Sequence, residues 1–297
     1  MRLWMVYKLK IFAADIGGTK VKTCISNEHG HIQETNEFDT ESHLGGHHII
    51  QKVMNEIAIH QDIDAVGIST AGQVNNEKGS IIYANKNIPE YTGLPIKSII
   101  EDRFQIPVKV ENDVNAAALG ELTFGSGRGY DDFLCLTYGT GIGGAVIQNQ
   151  KLFKGADGVA GEFGHMITNS KHLLADKPVF YEDVASVTAL VKKASEIDEE
   201  CTNGKVIFEK INQGRTELET LVKEWMSEVS AGLISLVHIF NPSMILIGGG
   251  VMEQNVVVNH ISKQIKSYVM DSFSQVDIKK ASLGNKAGLL GAVSLHL

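Results

Sequence analysis

Residues 11–26 read Ile11-Phe12-Ala13-Ala14-Asp15-Ile16-Gly17-Gly18-Thr19-Lys20-Val21-Lys22-Thr23-Cys24-Ile25-Ser26. The apolar run at 11–14 and the half-apolar run at 21–26 predict two strands joined by a glycine turn. The same order returns as Phe133-Leu134-Cys135-Leu136-Thr137, then Gly139-Thr140-Gly141, then Ala145-Val146-Ile147. Strand, glycine turn and strand recurring about 120 residues apart predict a duplicated unit, one copy per lobe. Around the first copy, the periodicity predicts a third, polar-alternating strand after His29-Gly30, a helix over 49–59 and a buried strand at 65–69. A helix over 96–104, a strand at 108–111 and a helix beginning at Asp113, with Ala116-Ala117-Ala118 inside it, follow. In the second half a helix-rich region runs to Phe240, a buried strand at 244–247 ends in Gly248-Gly249-Gly250, and an apolar helical segment closes the chain at 287–296. Strands alternating with helices make this an α/β protein.

The 297 residues fit roughly two domains of about 150 residues each. The expected division is an N-terminal lobe over 1–118, onto which the last segment, 285–297, packs back, and a C-terminal lobe over 119–284. A chain that is 43% hydrophobic and 21% charged is globular in composition, and a formal net charge of −8 disfavours nucleic acid and anionic membranes as partners. Cys24, Cys135 and Cys201 are too few and too far apart for a disulfide framework or a zinc site, which points to the cytoplasm. The apolar stretch near the N-terminus is broken by Lys8 and Lys10 and lacks a cleavage pattern, and no apolar run approaches the roughly 18 residues of a membrane helix. His43, His47 and His48 lack an evident acidic partner and read as surface residues near a helix start.

Glycines cluster where strands end, at 17–18, 139–144 and 248–250, with hydroxyls at Thr19, Thr137 and Thr140. Any one cluster reads as a tight hairpin; three together favour a phosphorylated ligand, because glycine lets backbone N–H groups approach phosphate oxygens. Gly17-Gly18-Thr19-Lys20 lacks the upstream glycine of a P-loop. Gly139-Thr140-Gly141-Ile142-Gly143-Gly144 matches G-x-G-x-x-G, but a strand signal follows it where a dinucleotide fold needs a helix N-terminus.

Taken in order, these motifs resemble those of the ROK family of sugar kinases and repressors, within the actin-like ATPase superfamily. Asp15-Ile16-Gly17-Gly18-Thr19-Lys20 is similar to the first phosphate motif, Thr137-Tyr138-Gly139-Thr140-Gly141 to the second, and Ile247-Gly248-Gly249-Gly250-Val251 to the adenosine motif. Glu111-Asn112-Asp113-Val114-Asn115-Ala116 and Gly161-Glu162-Phe163-Gly164-His165 resemble the sugar motifs. The resemblance runs from Asp15 to about Gly291. It implies a duplicated, two-lobed, ribonuclease H-like fold with a central cleft, and the split of sugar and ATP motifs between the halves leads to the expectation that the lobes close on the substrates. It also implies an ATP-dependent kinase acting on a hydroxyl of a hexose-type sugar, the 6-hydroxyl by family habit, and a homodimer or homotetramer. Asp15, Gly17, Gly18, Thr19, Lys20, Thr137, Gly139, Thr140, Gly141 and Gly249 would then hold ATP, with Mg²⁺ near Asp15; Lys20 reads equally well as a solvated strand residue.

Asp113 follows a strand at the start of a helix, where Asp commonly serves as an N-cap; the resemblance makes it the general base for the sugar hydroxyl. Such a base contributes about 10²–10⁴ in rate. Sugar hydroxyls both donate and accept, so carboxylates, amides and imidazoles suit them. The resemblance assigns Asn112, Glu162, His165 and Glu182 to the sugar, with Gly72 and Asn85 on loops beside it. Many family members bind zinc through that histidine and three cysteines of a Cys-x-Cys-Gly-x-x-Gly-Cys segment; here no cysteine lies between His165 and Glu182, so no structural zinc is expected. A cysteine-free segment resembles the β-glucoside kinase branch, with an acceptor such as cellobiose, while glucokinase and N-acetylmannosamine kinase share the other motifs. A non-catalytic sugar-sensing regulator is the alternative of another class. The family's repressors carry a DNA-binding module before the first motif, and only fourteen residues precede Asp15 here.

Overall fold

The computed structural model describes residues 9–84, 87–170, 173 and 178–297. The chain divides into two compact units. One comprises residues 1–129, Lys154–Ala160 and Asn285–Leu297, and the other Tyr130–Phe153 and Gly161–Gly284. Its first part runs β1 (Ile11–Ile16), β2 (Lys20–Ser26), β3 (Ile32–Asp39), α1 (Gly46–Ile59), β4 (Ala65–Thr70), β5 (Gln73–Asn75), β6 (Ser80–Tyr83), α2 (Ile96–Phe104), β7 (Val108–Asn112) and α3 (Asp113–Phe124). Then come β8 (Phe133–Tyr138), β9 (Ile142–Gln148), β10 (Lys151–Leu152), α4 (Tyr181–Ala185), α5 (Val187–Ile197), α6 (Gly204–Asn212) and α7 (Thr216–Phe240). The chain ends with β11 (Met244–Gly248), α8 (Asn255–Tyr268), β12 (Asp277–Lys280) and α9 (Ala287–Ser294).

The duplication is visible in the sheets. One has the order β3-β2-β1-β4-β7 and the other β10-β9-β8-β11-β12. In each, the first three strands form an antiparallel meander and the last two add in parallel. Asp15 and Thr137 are each the fifth residue of the leading strand, two positions ahead of its glycine turn. β4 is buried along its whole length and β11 nearly so, which is why both read as continuous apolar runs. In the second unit the apolar stripe of α7, including Leu218, Trp225, Val229 and Leu236, is buried at helical spacing. Trp225 is a core residue, donating its indole N–H to the carbonyl of Ala185 at 2.9 Å.

Two elements and one side chain differ from expectation. β9 begins at Ile142 rather than 145, because Gly143 and Gly144 pair with Thr137 and Leu136 of β8 and the space over Gly144 is taken by Phe163. The strand confirms that no helix N-terminus follows the G-x-G-x-x-G match. α3 runs through the division expected after residue 118 and belongs wholly to the first unit, which continues to Gly129. His48 does have an acidic partner: its Nε2 lies 3.0 Å from Glu41. Among the described residues no helix is long and apolar enough to cross a membrane, and the three cysteines are buried and free.

α9 packs against β1, β4 and α3 of the first unit. Leu289, Leu290 and Val293 are buried there, each stabilising the fold by about 1.5–3 kcal/mol. The crossing of α3 and α9 is made of small residues, since a Cβ on Gly291 would overlap the backbone of Ala116 and one on Gly120 would meet Ala287 O at 2.8 Å. Gly291→Val is expected to cost roughly 1–3 kcal/mol or more by overpacking, read as a lower Tm. Unchanged melting would show that the two helices do not need this approach.

Candidate active site

In the first unit the site is built where β7 ends and α3 begins. Asn112 is the N-cap: its Oδ1 accepts from the backbone N–H groups of Val114 (3.0 Å) and Asn115 (3.1 Å), the arrangement that stabilises a helix start. Its Nδ2 donates to Gly72 O at 3.0 Å and to Asp113 Oδ1 at 2.9 Å. Both lone pairs and both protons of the amide are thereby used. Capping therefore falls to Asn112, and Asp113, one position later, is released from it. Asp113 Oδ1 also accepts from Val114 N at 2.9 Å, while Oδ2 accepts from no other described residue. Burial, and then the charge of Asp15, push the Asp113 carboxyl up to about 6. The hydrogen bonds from Val114 and Asn112 act in the opposite direction and are outweighed.

Asp15 lies at the end of β1, where Ser69 Oγ of β4 donates to its Oδ1 at 2.7 Å. Burial raises its carboxyl as well, with Ser69 and Lys22 opposing. Gly288 of α9 leaves the room this carboxylate occupies, since a Cβ there would stand 2.6 Å from it. The glycine turn beyond is closed by Gly17 N donating to Lys20 O at 3.0 Å and pinned by Thr40, whose hydroxyl donates to Gly17 O at 2.8 Å. Gly18 and Thr19 are exposed at its tip. Lys20 starts β2 with its Nζ 2.8 Å from Asp39, so its ammonium is engaged across the β2–β3 ladder, as a solvated strand residue would be. Gly72 stands at the φ of +95° that glycine tolerates. Asn85 lies outside the described residues.

In the second unit the turn after β8 is held by Gly139 N donating to Gly141 O at 3.0 Å. Gly139 and Thr140 are exposed, and Thr137 is partly buried on β8. Glu182, on α4, accepts from Ile142 N at 3.1 Å. Cβ atoms on Gly141 and Gly164 would stand 2.5 and 2.8 Å from that same carboxylate, so the two glycines make its seat. Gly164 belongs to the short helical turn Phe163–His165. His165 Nδ1 is 3.8 Å from Glu162, both side chains about half exposed, and its ring lies 5.1 Å from that of Phe180. Glu162, His165, Glu182 and the 139–141 turn are thus brought together. Among the described residues no group of three or more His, Cys, Asp or Glu is placed to hold a metal.

A cavity of ≈ 430 Å³ opens beside that turn, lined by Tyr138, Val187, Phe208, Val251 and the polar Asn203, Lys205 and Gln254. Gly249, at φ +112°, is pressed against the backbone of Tyr138 and leaves no space for a side chain. Phe208, Asn203 and Lys205 were not singled out from sequence. The one signal was Asn203-Gly204, a polar residue and a glycine ahead of an amphipathic run, and Asn203 does cap α6 through Val206 N at 3.0 Å.

A family model described as ROK family matches residues 11–297. This chain belongs to the ROK family. The β-glucoside kinase of Listeria monocytogenes is 32% identical to this ROK protein over 289 residues, 96% of each chain. The glucokinase of Streptomyces coelicolor is 34% identical over 306 residues, 95% of each. The crystal structure of a ROK family glucokinase from Streptomyces griseus in complex with glucose and AMPPNP superposes with a TM-score of 0.82 at 34% identity, covering 96% of this chain and 98% of that one. The fold is that of the actin-like ATPases.

Because the folded-state value of Asp113 stands near 6 against an ordinary 3.8, the folded protein holds this proton more tightly than the unfolded chain. The stability so gained is complete below about pH 4 and is lost as pH rises through about 6. At pH 8, Asp113→Asn is expected to be more heat-stable than the parent by about 1–3 kcal/mol, and to match it near pH 4. A less stable variant at pH 8 would show that the ionised carboxylate is not strained in its site.

Proposed function

We propose that this ROK protein is an ATP-dependent sugar kinase in which Asp113 takes the proton of the acceptor hydroxyl. The observation that carries the mechanism is the junction at Asn112. The neighbouring amide does the capping, and burial keeps Asp113 basic enough to accept a proton yet ionised at neutral pH. As the hydroxyl oxygen bonds to the γ-phosphorus and the bond to the β-phosphate oxygen breaks, the proton passes to Asp113 and ADP leaves. Proton transfer to a positioned carboxylate is worth about 10²–10⁴.

Glu162, His165 and Glu182 suit the remaining sugar hydroxyls, with acceptor-only oxygens and an imbalance toward carboxylate that matches a neutral polyol. Asn112 has its side-chain hydrogen bonds filled, so it orients Asp113 and meets a sugar only by exchanging one of them. The exposed turn tips at Gly18-Thr19 and Gly139-Thr140 suit phosphate oxygens, offering hydroxyls and close backbone approach at the glycines, while the N–H groups of Gly17 and Gly139 close the turns themselves. The largely apolar cavity beside Tyr138 fits a purine, with Gly249 letting the chain pass close against the Tyr138 backbone at its edge. Mg²⁺ brought with the nucleotide would neutralise triphosphate charge, and the Asp15 carboxylate is the donor that fits beside it.

The acceptor is proposed to be a β-glucoside such as cellobiose, phosphorylated on the 6-hydroxyl, with glucose and N-acetylmannosamine the runners-up. The supports are the cysteine-free segment between His165 and Glu182 and the similarity to a β-glucoside kinase. Release of ADP should be screened with cellobiose, an aryl β-glucoside, glucose, fructose, N-acetylglucosamine and N-acetylmannosamine. With the best acceptor, kcat/KM should rise with pH through about 6 and fall tenfold per unit below it. Asp113→Asn should lower kcat at least about 100-fold. Turnover within about tenfold of the parent would remove Asp113 as base, and preference for free hexoses would remove the β-glucoside.

A further inference from the structure

The first unit contains a second cavity, of ≈ 420 Å³, that the proposed chemistry leaves unused. One wall is the turn after β5, with Asn75, Asn76 and Glu77, and the other is the loop carrying Lys154, Ala156 and Asp157. Gly155 and Gly158 hold that loop at φ +68° and +81°, a left-handed path that other residues resist. The head groups of Glu77, Lys154 and Asp157 are exposed, and none forms an ion pair or side-chain hydrogen bond with another described residue.

The cavity is tied directly to the strand that carries the base. Asn76 Nδ2 donates to Glu111 Oε2 at 2.6 Å and to Val110 O at 3.1 Å. Glu111 is buried, and its Oε1 accepts from Asn112 N at 2.9 Å and from Asn115 Nδ2 at 3.1 Å. Gly72, whose carbonyl accepts from Asn112, leads straight into β5 and so into the cavity wall. Two residues before Asp113, Glu111 thus connects the start of α3 to the cavity wall.

The lining selects the chemistry of that neighbour. Amides, carboxylates and an ammonium suit hydroxyl groups that both donate and accept. Two carboxylates against one ammonium disfavour an anionic group, and Val74 and Ala156 are too little apolar surface for an aromatic ring. The volume lies within the roughly 300–1,000 Å³ of small-molecule sites. In a β-glucopyranose the hydroxymethyl group and the anomeric substituent leave C5 and C1, on either side of the ring oxygen, so a ring whose 6-hydroxyl meets Asp113 directs its substituent to a region beside the base rather than onto it. We infer that this cavity is the subsite for the second sugar ring of a disaccharide acceptor, and that it selects such glycosides over free hexoses. The inference rests on the sugar-kinase reading above.

The test compares kcat/KM for cellobiose, p-nitrophenyl β-glucoside and glucose in the full chain, in Glu77→Ala and in Lys154→Ala/Asp157→Ala. The ratio of cellobiose to glucose is expected to fall about tenfold or more in the double variant, through KM, as one or two ligand hydrogen bonds are lost. An unchanged ratio overturns the subsite, as does a parent enzyme that phosphorylates glucose but neither phosphorylates nor is inhibited by cellobiose. A parent that prefers the aryl glucoside, with that preference untouched by the variants, also overturns it. If no sugar releases ADP, the kinase reading fails separately. Calorimetric binding of cellobiose that is weakened in the double variant would then still support the cavity, and no binding would overturn it.

Discussion

The fixed point of this molecule is the amide of Asn112. Its four hydrogen bonds, to Val114 N, Asn115 N, Gly72 O and Asp113 Oδ1, join a strand, a helix, a loop and a carboxylate at one residue. A helix start ordinarily recruits the nearest aspartate as its cap. With the asparagine in that place, the aspartate beside it stays available to take a proton and is held by the same amide. Burial then outweighs those hydrogen bonds and the helix N-terminus, and leaves Asp113 with a carboxyl that titrates near 6. An ionised carboxylate at this buried position costs stability at neutral pH, a cost that accords with the role as base proposed for Asp113.

Around that point glycine acts by the absence of a side chain. Gly288 makes room for Asp15, Gly141 and Gly164 for Glu182, and Gly291 for the backbone of α3. In each case a carboxylate or a helix occupies the volume a Cβ would fill. The two strand-end turns sit on sheets of the same topology, with different residues at the fifth position of the leading strand, Asp15 in one and Thr137 in the other.

The duplication was legible because leading strands and glycine turns are local patterns. Residues 11–26 and 133–147 carry them in the same order, and β-branched and apolar runs report strands without help from the rest of the chain. The order of phosphate, sugar and adenosine motifs pointed to the proposed site residues Asp113, Glu162, His165 and Glu182 through resemblance to the family. What was not legible depends on partners distant in the chain. Gly143 and Gly144 look like turn residues until β8 pairs with them. Asn112 and Asp113 are indistinguishable as caps until side-chain direction is known. The short β5–β6 hairpin gives little periodicity, and Asn76 takes its meaning from Glu111, 35 residues away. Phe208 and Asn203 line a cavity with Tyr138, whose strand is far from them in sequence.

The most direct test of the account is the titration of the Asp113 carboxyl itself, followed by ¹³C NMR of selectively labelled protein, in the parent and in Asp15→Asn. The account predicts a midpoint near 6 in the parent, moving down toward the ordinary aspartate range when the charge of Asp15 is removed. A carboxyl that titrates near 3.8 in the parent would contradict it, since Asp113 would then be an exposed, unstrained acid with no special fitness as a base.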